Sequence, residues 1–277
     1  MMKSALLVLG ADSAVGAGVV ATALEAGWEV AATGSARDRL AALRQRHPRA
    51  ALRLLRAHVR GERSAAALAN EAQRLGRPLA GVVAAFDLPD AYGRLLELSA
   101  GDLRRAWDAT VQPHLAAARH LLPLLAAGGR GGSYVLVGAP GSERPWAGHG
   151  ARSVAAASLR MLARVLHDEA RSLPVRVQLL SLDAPVRADD DVDGCPHWPC
   201  AREVGRHALA LVERRGSPDA VVHCHARDRQ PATPHTPRAP AQDPDSDAPL
   251  LTARCLQDAR TLLDSIALPP PRKGVSG

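Results

Sequence analysis

The sequence predicts a doubly wound α/β fold, with a parallel sheet of about seven strands and a flexible C-terminal tail. Three observations support this prediction: apolar runs alternate with amphipathic helical stretches, the runs are apolar throughout, and the composition changes near Ala226. Strands that helices cover on both faces consist of continuous apolar residues. Seven such runs alternating with helices indicate a parallel sheet with helices on both faces.

The apolar runs ALLVL, GVVAAF, YVLVG and VRVQLLSL are typical of the predicted strands. Strands are expected at residues 5–9, 28–33, 52–57, 79–85, 133–138, 175–182 and 220–224. Helices are expected at residues 15–26, 37–46, 64–75, 102–127, 153–172 and 200–215. Ser99 and Asp102 have the spacing of a capping box, in which each side chain binds a free backbone N–H group at a helix start. This pair predicts the beginning of helix 102–127.

The predicted folded domain covers residues 1–225, and residues 226–277 form the predicted tail. The stretch RDRQPATPHTPRAPAQDPDSDAP is rich in proline and charge, so it cannot bury enough apolar surface to become ordered. Beyond it, four apolar residues fall on one helical face: Leu251, Cys255, Leu262 and Ile266. They indicate either a short helix near 249–266 or an amphipathic stretch within a loose tail.

The overall composition excludes several classes of protein. The formal charge is +7, but nearly all cations are arginines scattered among acids, and aromatic residues make up only 3% of the chain. Nucleic-acid binding is therefore not expected, because a stacking platform needs aromatic side chains. No apolar run is long enough to cross a membrane. The four cysteines lie late in the chain without a disulfide framework, which favours a reduced, cytoplasmic protein.

The stretch LLVLGADSAVGAGVV turns from the first strand into the first helix through small residues: Gly10, Ser13, Ala14 and Gly16. Small residues let the backbone approach a pyrophosphate closely, and the N-terminus of the helix favours the anion. Ser13 adds a hydroxyl that can bind phosphate. A strand–helix corner also needs small residues, so both interpretations stay open.

This opening, the seven strands and the long helices 102–127 and 153–172 together resemble the short-chain dehydrogenase/reductase family over roughly residues 4–225. The resemblance implies a Rossmann-like fold and NAD(P)-dependent oxidoreductase chemistry. In that family the first turn reads Gly-x-x-x-Gly-x-Gly. Gly10 and Gly16 match its outer glycines, whereas Ala14 replaces the middle one.

The resemblance implies that any cofactor would be NADP(H). An NAD site carries an acid after the second strand, which binds the ribose 2′-hydroxyl. Here no acid precedes Asp38, and Ser35 and Arg37 suit a 2′-phosphate better, although Arg37 fits equally well as a solvated helix residue.

Other residues that bind the cofactor in the family are replaced here, so the sequence is also compatible with a protein that binds no cofactor. His58 stands at the adenine-binding aspartate, Phe86 lies within the Asn-Asn-Ala-Gly turn, and Asp183-Ala184 replaces the Pro-Gly that shields the nicotinamide.

The family's catalytic tetrad of Asn, Ser, Tyr and Lys is replaced at every position. The matching residues are Thr110, Ala139, Arg152 and Ala156. No other alignment restores the tetrad, because neither Tyr92 nor Tyr134 has a lysine nearby and the one asparagine, Asn70, lies elsewhere. The tyrosine protonates the alkoxide that hydride transfer leaves, and an arginine holds its proton too tightly to do so. His149 is the weak candidate for a substitute acid, against the simpler interpretation of an exposed loop histidine.

Two groups of metal-ligand residues occur near residue 190. Asp189, Asp191, Asp193 and Gly194 match the opening of a calcium loop, but Cys200 stands where the closing glutamate belongs. The residue types of a zinc site are present in Cys195, His197 and Cys200, together with His223, Cys224 or His225. Strand alternation directs the last two histidines away from the cysteine between them, so no metal site is assigned.

Three functions are compatible with these residues. The favoured one is a non-catalytic subunit or scaffold that acts by association, through helices 102–127 and 153–172, as a homo-oligomer or as a heteromer with an active family member. These helices carry the apolar, alanine-rich faces that such packing needs. The alternatives are an NADP(H)-dependent carbonyl reductase with an unconventional proton donor, and a nucleotide or metabolite sensor without turnover.

Overall fold

A computed structural model of the chain describes residues 5–87, 92–128, 131–191 and 195–224. Seven parallel strands form one sheet, as the sequence predicts, and their order is β3-β2-β1-β4-β5-β6-β7. The strands are β1 (Ala5–Leu9), β2 (Glu29–Thr33), β3 (Leu52–Leu54), β4 (Leu79–Ala84), β5 (Gly132–Val137), β6 (Val175–Leu182) and β7 (Val221–Cys224). The helices are α1 (Ala14–Glu25), α2 (Arg37–Arg46), α3 (Glu62–Gln73), α4 (Ala100–Ala127), α5 (Gly150–Glu169) and α6 (Ala201–Val212).

Two hydrophobic cores cover the two faces of the sheet. Successive side chains of a strand point to opposite faces, so Leu7 and Leu9 of β1 join the core under α3, α4 and α5. Leu6 and Val8 of the same strand join the core under α1, α2 and α6. The continuous apolar runs in the sequence are explained by this burial on both faces.

The capping box at the start of α4 is confirmed. The Ser99 hydroxyl accepts a hydrogen bond from the Asp102 amide at 3.2 Å, and the Asp102 carboxylate accepts one from the Ser99 amide at 2.9 Å. The helix consequently begins at Ala100, two residues before the predicted start.

Among the elements whose boundaries differ from the prediction are β3 and α5. The predicted strand 52–57 ends at Leu54, after which the chain leaves the sheet and the Ala57 carbonyl accepts a hydrogen bond from the Thr33 hydroxyl. The predicted helix 153–172 begins earlier, at Gly150, and residues Ala170–Ser172 tighten into a 3₁₀ turn. The predicted tail 226–277, with its helix near 249–266, lies outside the described residues.

The sheet order reverses between β1 and β4, which are neighbours although they are not consecutive in the chain. In open α/β sheets the crevice at the carboxyl ends of the strands beside this reversal is where ligands bind. Within the described part of the chain, no helix is long and apolar enough to span a membrane.

Candidate functional site

Two cavities open at the carboxyl ends of the central strands and share Phe86 and Asp87 at their border. The first, which we call the β5 cavity, has a volume of about 170 Å³ and lies between β5, α4 and α5. The second, the β2 cavity, has a volume of about 340 Å³ and lies beside the end of β2, the segment after β3 and α4. The turn between β1 and α1 contributes residues to both.

The glycines of this turn are required by packing within the chain itself. Gly10 has φ +72°, a left-handed conformation that favours glycine, and a Cβ there would clash with the Ala85 carbonyl. A Cβ at Gly16 would clash with the carbonyl of Gly10. These contacts account for both glycines without a bound phosphate.

Ser13 and Ala14 complete the turn. The Ser13 hydroxyl caps α1 by accepting a hydrogen bond from the Gly16 amide at 2.9 Å, and it lies 2.9 Å from the Ala85 carbonyl oxygen. The hydroxyl is therefore engaged inside the fold. Ala14 is the exposed first residue of α1 and lines the β5 cavity, so the N-terminus of the helix still faces the crevice.

A carboxylate occupies the position where the sequence suggests a phosphate. Asp12 Oδ2 accepts hydrogen bonds from the Ser35 amide at 2.9 Å, the Ser35 hydroxyl at 3.0 Å and the Ala36 amide at 2.7 Å. A Cβ at Gly34 would clash with this carboxylate, so the space for Asp12 exists because residue 34 is glycine. Arg37 follows as the exposed first residue of α2.

His58 leaves a buried ring nitrogen without a partner in the β2 cavity. Its Nε2 is buried and forms no hydrogen bond with any described residue. Burial and the neighbouring Arg60 hold the pKa of His58 below its usual range, against a smaller opposing effect of Asp12. The ring is therefore neutral at pH 7, with one ring nitrogen that has no hydrogen-bond partner among the described residues.

The four positions that the resemblance matches to the tetrad line the β5 cavity together: Thr110, Ala139, Arg152 and Ala156. The Thr110 hydroxyl donates a hydrogen bond to the Ala106 carbonyl of the same helix at 2.8 Å. The Arg152 guanidinium lies over the ring of Trp146, 5.4 Å from its centroid. None of the residues lining this cavity is a tyrosine or a lysine.

His114 also lines the β5 cavity and was not recognised from the sequence. It lies one helical turn after Thr110 on α4, is 2% exposed, and its Nδ1 has no hydrogen-bond partner among the described residues. Burial lowers its pKa to about 3. The signal available in the sequence was its spacing of four residues from Thr110, which brings both side chains to one helix face.

His149 does not line either cavity. It precedes the first residue of α5, stacks on Trp146 with ring centroids 3.9 Å apart, and meets the ring of Tyr92 at 4.8 Å. The expectation of an exposed loop histidine was wrong, because these two aromatic rings leave it half-buried. Its role as a substitute acid gains no geometric support.

The described metal-ligand residues do not assemble as either metal pattern requires. Asp189 accepts a hydrogen bond from the Arg202 amide at the start of α6, while Asp193, Gly194 and His225 lie outside the described residues. Cys224 is buried, 3.1 Å from His207 Nδ1, and burial raises the pKa of its thiol to about 11.

Among the described residues, one group of three has its ligand atoms within 4.8 Å of one another, and it contains Glu143, Asp183 and His223. Arg160 pairs with Glu143 in this group, and His223 Nε2 lies 3.3 Å from the same carboxylate. Cys195, His197 and Cys200 are not part of it.

The cavities fit only part of the cofactor that the resemblance implies. The β2 cavity, with the unpartnered His58 nitrogen, fits an adenosine group. The Ser35 and Ala36 amides, which stand where a 2′-phosphate would need donors, are already bonded to Asp12. At the other end, the Phe86 ring lines both cavities.

Comparisons with known proteins bear on the family. The family described as Enoyl-(Acyl carrier protein) reductase matches residues 10–227. A search of curated proteins found no match. Among solved structures, a short-chain type dehydrogenase/reductase from Mycobacterium ulcerans is similar with a TM-score of 0.71 at 20% identity, covering 82% of this chain and 90% of that one.

Two further solved structures share the fold. An oxidoreductase of the short-chain dehydrogenase/reductase family from Burkholderia thailandensis has a TM-score of 0.68 at 21% identity, over 82% of this chain and 92% of that one. L-sorbose reductase from Gluconobacter frateurii, complexed with NADPH and L-sorbose, has a TM-score of 0.67 at 15% identity, over 81% of this chain and 96% of that one. At 15–21% identity, these similarities show a shared fold and nothing further.

Proposed function

This chain belongs to the short-chain dehydrogenase/reductase family, and from that premise we propose that it is a non-catalytic member that acts by association with a second copy of itself through α4 and α5. The proposal has two supports. One is the chemistry of the β5 cavity, and the other is the surface of the two helices.

The β5 cavity supports the proposal because its lining includes neither a tyrosine nor a lysine, the pair that the family uses for proton transfer. Hydride transfer leaves an alkoxide, and a positioned proton donor is typically worth 10²–10⁴-fold in rate. His114 is neutral at pH 7 because burial lowers its pKa to about 3. Arg152 holds its proton too tightly, and Thr110 is engaged with the Ala106 carbonyl.

The surface of α4 and α5 is the observation that carries the proposal. The two helices pack on the same face of the sheet and contact each other. Each exposes large apolar side chains to solvent, namely Trp107 and Leu115 on α4 and Val154, Met161 and Val165 on α5. The three on α5 are spaced by seven and four residues, which aligns them on one helix face.

We interpret this apolar stripe as an interaction surface, since monomeric proteins rarely expose large contiguous apolar patches. Met161 is 56% exposed and lies between Val154 and Val165 along the stripe. Two copies that bring these helices together would bury all three side chains, as facing helices do in bundles. A second copy is the simplest occupant because it supplies the same apolar face.

The test is the mass of the protein in solution, measured by sedimentation equilibrium and light scattering. We expect the wild type to be a dimer at micromolar concentration and Met161→Glu to be a folded monomer, because a charge would be buried at the interface. Trp198→Glu is the control, since Trp198 is similarly apolar and exposed but immediately precedes α6 in the opposite helix layer. A monomeric wild type, or a dimer that Met161→Glu leaves intact, contradicts the proposal.

Binding of a nucleotide without turnover is a second candidate function, favoured by the β2 cavity. Its volume of about 340 Å³ and the unpartnered His58 Nε2 suit an adenosine group. A reductase of the NADP(H)-dependent type agrees with the family, but no tyrosine or lysine lines either of the two described cavities. Consumption of NADPH in the presence of carbonyl compounds would favour the reductase over both other functions.

A further inference from the structure

Asp12 is the one acidic side chain in the turn between β1 and α1, and it leaves that turn to reach the end of β2. Its partners are Ser35 and Ala36, 23 and 24 residues further along the chain. All three hydrogen bonds converge on a single carboxylate oxygen, Oδ2. Oδ1 takes part in none of these three bonds.

The position of the carboxylate is built for an anion. Two of its three donors are backbone amides just before the first residue of α2, where the helix dipole is positive. The third donor is the Ser35 hydroxyl. Gly34 leaves the space that the carboxylate fills, since a Cβ at that residue would clash with it. A phosphate placed at this end of β2 would need the same three donors.

We propose that Asp12 is a built-in anion that makes the β2 cavity select adenine nucleotides without a 2′-phosphate, and therefore NAD(H) over NADP(H). The inference goes beyond association and rests on the second candidate function, that the β2 cavity binds a nucleotide. It differs from the preference that Ser35 and Arg37 indicate by themselves, because Asp12 already holds the donors of Ser35.

At this position both charge and hydrogen bonding favour a ribose 2′-hydroxyl over a 2′-phosphate. A 2′-phosphate would have to displace the Asp12 carboxylate from its three donors or lie beside it as a second anion. A ribose hydroxyl carries no charge and can donate to a carboxylate oxygen, which accepts several hydrogen bonds. Arg60 lines the cavity, and Arg37 is close enough to His58 to lower the pKa of its ring; both attract phosphate but do not free the donors of Ser35 and Ala36.

A purely structural role for Asp12 predicts something different. If the carboxylate only ties β1 to the start of α2, its removal lowers stability and weakens the binding of both dinucleotides alike. If it selects against 2′-phosphate, its removal changes the ratio of the two affinities. The ratio is therefore the quantity to measure, and it does not depend on any enzymatic activity.

The experiment is isothermal titration calorimetry of the full chain with NADH and NADPH. We expect the wild type to bind NADH at least tenfold more tightly. Asp12→Ala should raise the affinity for NADPH at least tenfold, because it frees three donors beside Arg37, and the added change Arg37→Ala should remove most of that gain. Asp38→Ala is the charge-matched control, because Asp38 is exposed in the first turn of α2 and should change the ratio less than threefold.

Asp12→Asn keeps the size of the side chain and removes its charge, so it serves if Asp12→Ala does not fold. A wild type that binds NADPH as tightly as NADH, or variants that leave the ratio unchanged, would overturn the role of Asp12 alone. A wild type that binds neither dinucleotide would overturn this role together with the nucleotide-binding function, while association through α4 and α5 would stand.

Discussion

Phe86 meets the edge of the His114 ring, with the centroids 4.8 Å apart and the ring planes at 79°. The contact fills the border between the two cavities, since Phe86 lines both and His114 lines the β5 cavity. An imidazole in this position is desolvated on nearly every side. His114 is therefore a neutral packing group at physiological pH.

The burial of His114 predicts acid sensitivity. Its pKa is about 3 in the folded chain, against about 6.5 when unfolded. Between these values the unfolded state binds a proton that the folded state does not, so the free energy of unfolding falls as pH is lowered from 6.5 toward 3. The contribution is about 1.4 kcal/mol per pH unit within this window.

Urea unfolding at pH 7, 6, 5 and 4.5 measures this contribution. His114→Leu should lose stability less steeply than the wild type below pH 6.5, because it cannot take up the proton. Phe86→Leu disturbs the same contact without removing a titrating group, so its curve should stay parallel to that of the wild type. Parallel curves for all three proteins would show that His114 is not held neutral.

The buried hydroxyl of Tyr134 predicts a stabilising substitution. Tyr134 is fully buried in β5, its hydroxyl has no hydrogen-bond partner in the described chain, and burial raises its pKa well above the usual value. Tyr134→Phe removes a desolvated polar group at almost constant volume, so the free energy of unfolding should rise by about 1 kcal/mol.

Denaturation in urea tests this prediction, with Tyr92→Phe as the control. Tyr92 is 69% exposed, and its substitution should change stability by less than about 0.5 kcal/mol. A loss of stability in Tyr134→Phe would mean that the hydroxyl has a partner, such as a buried water.

Features that depend on residues close together in the sequence were predicted, whereas contacts between residues far apart in the sequence were missed. The strands, the helix order and the Ser99–Asp102 capping box come from local patterns, so they were predictable. The contact of Asp12 with Ser35 depends on β1 pairing with β2, in a register that places Leu9 beside Thr33. No local pattern specifies that pairing, and the residues around Asp12 in the sequence do not indicate that its carboxylate binds Ser35.

The same limit applies to the lining of the β5 cavity. Thr110 and His114 share a helix face, but only the packing of α4 on the sheet turns that face toward the cavity. The prediction that His149 is exposed was wrong because the tertiary fold brings Tyr92 and Trp146 against its ring. Spacing in the sequence identifies side chains on one helix face, but it does not predict which side chains from different elements come into contact.

Restoring two tetrad residues should not restore a reductase. In the double variant Arg152→Tyr, Ala156→Lys, the cavity still has Ala139 at the matched serine and Phe86 at its border. The lysine would also replace a side chain that is only 2% exposed, so its charge would be costly to bury. We expect no NADH or NADPH oxidation above background with a panel of aldehydes and ketones, measured at 340 nm. Appreciable turnover by a folded double variant would contradict the non-catalytic interpretation of this cavity.

The packing around Gly16 predicts that this residue matters for folding whether or not a nucleotide binds. A methyl group at residue 16 would clash with the Gly10 carbonyl, which is held by the chain turning out of β1. Backbone cannot move aside as a flexible side chain can, so Gly16→Ala should cost about 1–3 kcal/mol of unfolding free energy through overpacking.

The matched control for Gly16→Ala is Gly101→Ala in the first turn of α4, where an added Cβ would meet its nearest neighbours at an ordinary 3.5 Å. That change should leave stability unchanged or raise it, because alanine favours a helix over glycine. Thermal unfolding without added nucleotide separates the two explanations for the turn. A lowered midpoint for Gly16→Ala alone means that the glycine serves the corner between β1 and α1. An unchanged midpoint removes that explanation, and the close approach of a ligand phosphate then becomes the reason for glycine at residue 16.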